Sequence, residues 1–288
     1  MSCMDVKGTV MTLIEYHKLF FKTLSLKIDH NELEEFFFWI IEHYCKVNRM
    51  KYILNPEYQI HHSHKSYLFK AIHLLEKNMP IQYVIGVAEF MGLNFFLNQN
   101  VLIPRPETEE LVSWILSDLP PNKSILDIGT GSGCIAVSLA KFSNSCNVTA
   151  WDIDNKILDI ARSNALKNKV KALFEIQDIS SIKSNRSFDV IVSNPPYITL
   201  DEKKIMKKNV LLYEPHKALF VKNENPLYFY QKIIEFAKGN LNNNGNIFFE
   251  INELMLEGVS KLLNKEGFYD IEHKNDFRSK NRMIKARI

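Results

Sequence analysis

The chain has 288 residues, 46% hydrophobic and 24% charged, with a formal net charge of +3. That length allows a sizeable core and two unequal domains, and no apolar run approaches the roughly 18 residues that a membrane span needs. So small a positive charge does not by itself announce a nucleic-acid binder, whose affinity comes from many clustered phosphate contacts. The four cysteines (Cys3, Cys45, Cys134, Cys146) form no CxxC pair and no ligand-like spacing with histidine. Neither a disulfide framework nor a zinc site is indicated, as expected of a reducing cytoplasm.

The apolar patch Val10 to Ile14 is soon interrupted by Glu15 and is too short for a secretory signal, so export is not expected. From about Thr9 to Asn78 the chain reads as helices. Asp29 with Glu32 forms a capping-box-like start, after which Leu33, Phe36, Phe37, Ile40, Ile41 and Tyr44 recur at helical spacing. A further helix is expected from Pro56 to Lys77, with Ile60, Leu68, Ile72 and Leu75 on one face. Ten Lys/Arg balance nine Asp/Glu over residues 1–78, which leaves no basic stripe. Seven of the nine histidines lie here, but His61, His62 and His64 lack carboxylate or cysteine partners at ligand spacing, and no metal site is expected.

From Ile81 to Ile103 short β-prone runs with Gly92 between them predict a hairpin. "IPRPETEE", Ile103 to Glu110, then makes a stiff connector into a helix through Leu111, Val112, Ile115 and Leu116. Beyond Pro121 strand and helix alternate. Apolar strands are expected at Ser124 to Ile128, Val148 to Trp151, Ala172 to Ile176, Phe188 to Val192 and Asn246 to Ile251. Such alternation predicts a mainly parallel sheet covered on both faces. The expected organisation is a helical domain over 1–80, a β-hairpin linker over 81–106 and an α/β domain over 107–288.

The first of these strands runs into Gly129-Thr130-Gly131-Ser132-Gly133 before a helix, at the strand ends where open α/β sheets bind ligands. A dinucleotide fingerprint would need glycine at position 134, where Cys134 stands, and the Gly-Lys-Ser/Thr end of a phosphate loop is missing. GxGxG is instead the loop of Rossmann-like methyltransferases that use S-adenosylmethionine. Asp152, ending the second strand, suits a ribose diol because a carboxylate accepts two hydrogen bonds. Asp178, ending the third, can accept from the adenine amino group, with Ile179 packing on the ring; capping the next helix is the plainer role for either aspartate.

The fourth strand ends in Asn194-Pro195-Pro196-Tyr197, its carboxyl end expected beside the glycine loop. A carboxamide nitrogen is a poor nucleophile because its lone pair is delocalised into the carbonyl, and its NH2 presents two donors. The Asn194 side-chain oxygen and the Pro195 carbonyl can hold both N–H groups and aim the nitrogen at a sulfonium methyl. Proline offers a carbonyl without an N–H, Pro196 holds Pro195 extended, and Tyr197 can cover the planar amide. On this reading the rate comes from positioning at roughly 3 to 3.5 Å rather than from a strong base, with no metal.

These segments, together with "PIQYVIG", "EFMGLNFF", "VLIPRPETEELV", "LDIGTGSGCIAVSLA", "DIDNKILDIARSNA" and "YEPHKALF", resemble the HemK/PrmC family of glutamine-N5 methyltransferases acting on peptide-chain release factors. The likeness spans nearly the whole chain. It implies a Rossmann-like class I S-adenosylmethionine-dependent domain with a seven-stranded, mostly parallel sheet, preceded by a small helical domain and a β-hairpin linker. It implies S-adenosylmethionine as cofactor, S-adenosylhomocysteine as product, and the Gln of a Gly-Gly-Gln loop as substrate. Carried over, Gly129, Thr130, Gly131, Ser132, Gly133, Asp152, Ile179 and Asn194 would hold the cofactor. Asn194, Pro195, Pro196 and Tyr197 would hold the amide, with Asn194, Pro195 and Tyr197 catalytic. Asn252, where many relatives have glycine, and "DFRSKNRMIKA", which lacks a glycine often found there, are departures expected to lie away from the main motifs. A nucleic-acid amino-methyltransferase is the alternative, since an exocyclic NH2 poses the same two-donor problem. The cluster Lys203, Lys204, Lys207 and Lys208 can hold phosphates but reads first as a solvated face. A cytoplasmic monomer with a release-factor partner, no membrane and no stable nucleic-acid partner is expected.

Overall fold

The computed structural model describes residues 11–182 and 184–288. Cys3 and the start of the expected helical run at Thr9 and Val10 lie outside them. The chain divides between Ile85 and Gly86 into two compact units.

The smaller unit holds α1 (Leu13–Leu24), α2 (His30–Cys45), α3 (Arg49–Leu54), α4 (His62–Glu76) and α5 (Ile81–Ile85). Its core is built from Leu13, Tyr16 and Phe20 of α1, Leu33, Phe37 and Ile41 of α2, and Leu68, Ile72 and Leu75 of α4. These recur at the three- and four-residue spacing that puts apolar side chains on one helix face. Asp29 caps α2 by accepting from the Asn31 N–H at 2.9 Å. The reciprocal capping box expected there with Glu32 occurs instead at α1, between Thr12 and Glu15.

The helix expected from Pro56 begins only at His62. Residues 56 and 57 form a turn, closed by the Tyr58 N–H donating to the Asn55 carbonyl at 3.2 Å, and the chain then passes the start of α1, where the Pro56 and Tyr58 carbonyls accept from the Ile14 and Leu13 N–H groups at 2.9 and 3.0 Å. The first N–H groups of a helix have no partner inside it, and this segment supplies two of the missing acceptors. His61 caps α4, its Nδ1 2.7 Å from the Ser63 hydroxyl.

The larger unit opens with the hairpin β1 (Val87–Phe90) and β2 (Leu93–Phe96), turning at Met91 and Gly92, both with positive φ. Then follow α6 (Pro106–Asp118), β3 (Ser124–Ile128), α7 (Cys134–Phe142), β4 (Asn147–Asp152), α8 (Asn155–Lys167), β5 (Leu173–Ile176), β6 (Phe188–Ser193) and β7 (Ile198–Thr199). After a 3-10 turn at Glu202–Ile205 come α9 (Lys208–Tyr213), α10 (His216–Leu219), β8 (Phe220–Val221), α11 (Tyr228–Asn240), β9 (Leu241–Glu250), α12 (Leu256–Lys265), β10 (Tyr269–Asn275) and β11 (Asn281–Arg287).

Seven of these strands form one sheet in the order β10-β11-β9-β6-β3-β4-β5. The five from β9 to β5 are parallel, and β11 pairs antiparallel with both β9 and β10. The seven-stranded, mostly parallel α/β fold expected from the resemblance is the observed one. Both faces are buried because alternate residues point to opposite sides. Ile125, Val148, Val190 and Phe248 pack with α6 and α7, while Leu126, Trp151, Ile191 and Ile247 pack with α11 and α12.

The hairpin expected as a linker packs within this unit. Phe90 and Phe95 are fully buried in the α6/α7 face, and the Met91 N–H donates to Glu109 of α6 at 2.7 Å. Among the described residues no helix is long and apolar enough to cross a membrane, and no group of three or more His, Cys, Asp or Glu can hold a metal.

Candidate active site

The sheet reverses its winding between β3 and β6, which lie side by side and parallel. Crevices form at the carboxyl ends of strands on either side of such a reversal. There the Ser193 hydroxyl donates to the Ile128 carbonyl at 2.7 Å, binding the ends of β6 and β3 at the rim.

The glycine loop hangs on β4. The Gly129 and Thr130 N–H groups both donate to the Trp151 carbonyl at 2.9 Å. The Gly131 N–H donates to Asp152 Oδ2 at 2.9 Å, and the Ile153 N–H to Oδ1 at 2.8 Å. Asp152 therefore already braces the loop, with lone pairs remaining on both oxygens for a diol. Burial raises its carboxyl above the ordinary range, and the bond from Gly131 and then that from Ile153 pull it back.

A Cβ added to Gly133, whose φ is 81°, would meet Ala161 Cβ at 3.0 Å, so α7 can lie this close to α8 only with glycine there. At Gly129 and Gly131, with φ of 75° and 57°, an added Cβ meets no protein atom within 4 Å. Packing does not demand glycine at those two positions. The backbone conformation does, and it leaves an open cradle that fits the adenosine and amino-acid parts of a nucleoside cofactor.

Beneath the loop, Asp127 is fully buried and accepts from the Thr130 hydroxyl at 2.6 Å. Burial pushes its carboxyl up to about 7, against the pull of that hydroxyl. Cys134, at the start of α7, has its thiol pushed up to about 12 by burial, which excludes it as a nucleophile near neutral pH.

Asp178 and Ile179 follow β5, and the Gln177 N–H donates to the Asp152 carbonyl at 2.9 Å, which keeps the two strand ends together. Asp178 is half-buried and turns back on Ser180, accepting from its N–H at 2.8 Å and its hydroxyl at 2.7 Å through Oδ1. Those two bonds hold its carboxyl below the usual range. Among the described residues its Oδ2 has no such partner. Ile179 packs half-buried against the α11/α12 face of the sheet.

At the end of β6, Pro195 is buried and Asn194, Pro196 and Tyr197 are half-buried. Asn194 Nδ2 donates to Thr108 Oγ1 at 3.2 Å, Thr108 Oγ1 to Glu250 Oε2 at 2.5 Å, and the Tyr197 hydroxyl to Glu250 Oε1 at 3.0 Å. Burial raises both the Tyr197 hydroxyl, with a further push from Glu250, and the Glu250 carboxyl.

Sequence reading missed Thr108 and Glu250. A signal existed: Thr108 precedes Leu111, Val112 and Ile115 at spacings of three, four and seven, all buried. A polar residue at the head of a core-facing stripe, and a glutamate closing the apolar strand "NIFFE", are the exceptions that ask for a reason.

Two more partnerships support the site. Asn164, fully buried on α8, accepts from the Phe96 N–H at 2.6 Å and donates to the Phe96 and Ser132 carbonyls at 3.0 and 2.9 Å, tying hairpin to glycine loop. Arg105 of the connector binds both oxygens of the buried Glu214 carboxylate at 2.6 and 2.7 Å, so "IPRPETE" and "YEPHKALF" are structural partners.

The departures at the carboxyl end do not lie away from the motifs as expected. Asn252 Nδ2 donates to Glu202 at 2.8 Å, and Glu202 accepts from the Thr199 N–H and hydroxyl, both at 2.8 Å. Asn252 thereby holds the loop that leaves Tyr197. Arg282, of the second departure, donates to the Ile251 carbonyl at 3.1 Å, next to Glu250. Of the lysine cluster, Lys204 pairs with Asp201 at 3.3 Å and Lys203 lies over the Phe220 ring at 5.2 Å.

Comparison with known proteins gives the family and the fold. The PrmC N-terminal domain family matches residues 21–86 and the methyltransferase small domain family residues 108–222. A release factor glutamine methyltransferase of Flavobacterium psychrophilum is 42% identical over 282 residues, covering 96% of this chain and 99% of that protein. One of Bacteroides thetaiotaomicron is 44% identical over 214 residues, 74% of this chain and 77% of its own. Among solved structures, a methyltransferase from Pyrococcus furiosus superposes with a TM-score of 0.53 at 22% identity, over 68% of this chain and 89% of that one, a likeness of fold alone. With a methyltransferase sheet, a cradle of open glycines and relatives aligned end to end, this chain belongs to the release factor glutamine methyltransferase family and is an enzyme that uses S-adenosylmethionine.

Proposed function

We propose that the chain methylates the side-chain amide nitrogen, N5, of the glutamine in the Gly-Gly-Gln loop of peptide-chain release factors, and so modulates translation termination. The observation that carries this reading is the Asn194 carboxamide. Its Nδ2 is occupied by Thr108, which leaves Oδ1 as an acceptor at the end of β6, beside the glycine loop that follows β3. A planar NH2 needs two acceptors, and the Pro195 carbonyl adjoins the first.

Once bound, S-adenosylmethionine supplies an electrophilic methyl on a positively charged sulfur. Gly129 to Gly133 would cradle it, with Asp152 on the ribose, Asp178 and Ile179 at the adenine, and Asn194 at the methyl end. The chain's residues do the positioning. Asn194 Oδ1 and the Pro195 carbonyl hold the two amide N–H groups, Pro196 keeps Pro195 extended, and the Tyr197 ring, tethered through its hydroxyl to Glu250, covers the amide plane. The amide nitrogen gains the methyl and gives up one proton to water, since an alkylated amide nitrogen is acidic enough to need no strong base. The rate comes from orientation, which supplies several kcal/mol when the reacting atoms are held in line.

The helical unit, expected over residues 1–80, is proposed to recognise the release factor, and the protein to act as a cytoplasmic monomer with no stable nucleic-acid partner. The test is mass spectrometry of a release-factor Gly-Gly-Gln peptide, and of the intact factor, after incubation with enzyme and S-adenosylmethionine. Gain of one methyl on the glutamine is expected. Methyl label entering DNA or RNA but neither protein substrate would overturn the reading in favour of nucleic-acid amino-methylation.

A further inference from the structure

Thr108 and Glu250 stand 142 residues apart in sequence and meet in the interior, 2% and 1% exposed. An apolar pair of similar volume would pack against Leu111, Val112 and Phe248 without the cost of desolvating a carboxylate, so this pair is not there for stability. Its polarity has one consequence at the crevice. A threonine hydroxyl has a single proton. With Glu250 as a carboxylate, accepting from Tyr197 through Oε1, that proton goes to Oε2, at 2.5 Å, so toward Asn194 the Thr108 oxygen can only accept. It therefore binds Asn194 Nδ2 and not Oδ1, at 3.2 Å.

We propose that Thr108 and Glu250 are positioning residues that select which end of the Asn194 carboxamide faces the substrate, a proposal that rests on the amide-methylation reading above. The two ends of a carboxamide are nearly equal in shape and opposite in hydrogen bonding. With Oδ1 outward the side chain accepts from the substrate amide. With Nδ2 outward it would set donor against donor and expel the nitrogen from line. One carboxylate thus orients two groups at once, since its Oε1 also anchors the Tyr197 hydroxyl at 3.0 Å.

The test compares Thr108→Val, Thr108→Ser and Glu250→Gln with the unaltered protein on the same Gly-Gly-Gln peptide, with S-adenosylmethionine affinity and thermal unfolding measured on each. Thr108→Val keeps the shape and removes the hydroxyl. Glu250→Gln puts an NH2 against either Thr108 or Tyr197; against Thr108 it reverses that hydroxyl and with it the Asn194 amide. Both are expected to lower kcat by roughly 10- to 100-fold, the scale of one or two lost orienting interactions, while cofactor Kd stays within about threefold. Thr108→Ser, which keeps the hydroxyl, is expected to recover most of the rate.

Unchanged kcat in Thr108→Val overturns the inference, as does equal loss in Thr108→Ser. Loss of cofactor affinity or of folding in step with kcat also overturns it, because the pair would then be structural. Absence of methyl transfer by the unaltered protein would instead sink the substrate reading itself.

Discussion

Asp127→Asn removes a carboxyl that the fold holds in its interior at the end of β3, under the Thr130 hydroxyl. Burial raises its pKa from 3.8 to about 7. A carboxyl with a higher pKa folded than unfolded binds its proton more tightly in the native state, so acid favours the fold between those two values. Its contribution to stability falls as pH rises from about 4 to about 7 and is level above. Between pH 7.5 and pH 5.0 the linkage relation gives a gain of about 2.5 kcal/mol from this single group. Asp152 and Glu250 are also raised by burial and act in the same direction, so the unaltered protein alone does not isolate Asp127. The difference between it and Asp127→Asn does. The assay is urea unfolding at both pH values followed by tryptophan fluorescence, since two of the three tryptophans, Trp114 and Trp151, lie in the same unit as Asp127. The stability difference, unaltered minus variant, is expected to shift by about 2.5 kcal/mol in favour of the unaltered protein on going to pH 5.0. No shift, or one of opposite sign, would refute the assignment of a buried carboxyl with a raised pKa beneath the loop.

Three further outcomes follow from the site. Asn194→Ala is expected to depress methyl transfer far more than cofactor binding, by about 100-fold against less than about fivefold, because the proposed role of its acceptor is to hold the substrate amide; equal losses in single-turnover and calorimetric measurements would contradict that. Asp152→Ala strips the acceptor from the Gly131 and Ile153 N–H groups and removes the carboxylate proposed to hold the ribose. Cofactor Kd is expected to rise at least about tenfold by calorimetry, and an unchanged Kd would place the cofactor elsewhere. Asn252→Gly frees Glu202 and the loop after Tyr197. A loss of about 1 kcal/mol in denaturant unfolding and a raised KM for release factor are expected, and kinetics indistinguishable from the unaltered chain would show that the loop does not need this tether.

How much of this was readable in advance varies with the range of the interactions involved. The parallel strands β3, β4, β5 and β6 are legible because each is a short apolar run bounded by turn residues, and the glycine loop because positive φ and close helix packing restrict the residue type locally. The edge strand β10 is not legible: "YDIEHKN" is almost wholly exposed and carries no apolar alternation, so only its pairing with β11 makes it a strand. The helix expected from Pro56 fails for a similar reason. The end of another helix claims the Pro56 and Tyr58 carbonyls, and that competition is absent from the local pattern.

In the site, residue types and spacing alone determine the methyltransferase loop, the acidic residue on the next strand and the run Asn194-Pro195-Pro196-Tyr197 at the end of the fourth, since each is a local backbone or side-chain chemistry that few residues can supply. Only the tertiary structure decides that Asn194 Nδ2 meets the Thr108 hydroxyl oxygen. That pairing joins Thr108 and Glu250 from a distant helix and strand, while Asn164, Arg105 with Glu214, and Asn252 with Glu202 brace the loops around it. Hydrogen-bond direction in a buried network depends on which donors and acceptors meet in space. A linear pattern records the residues but not their meeting.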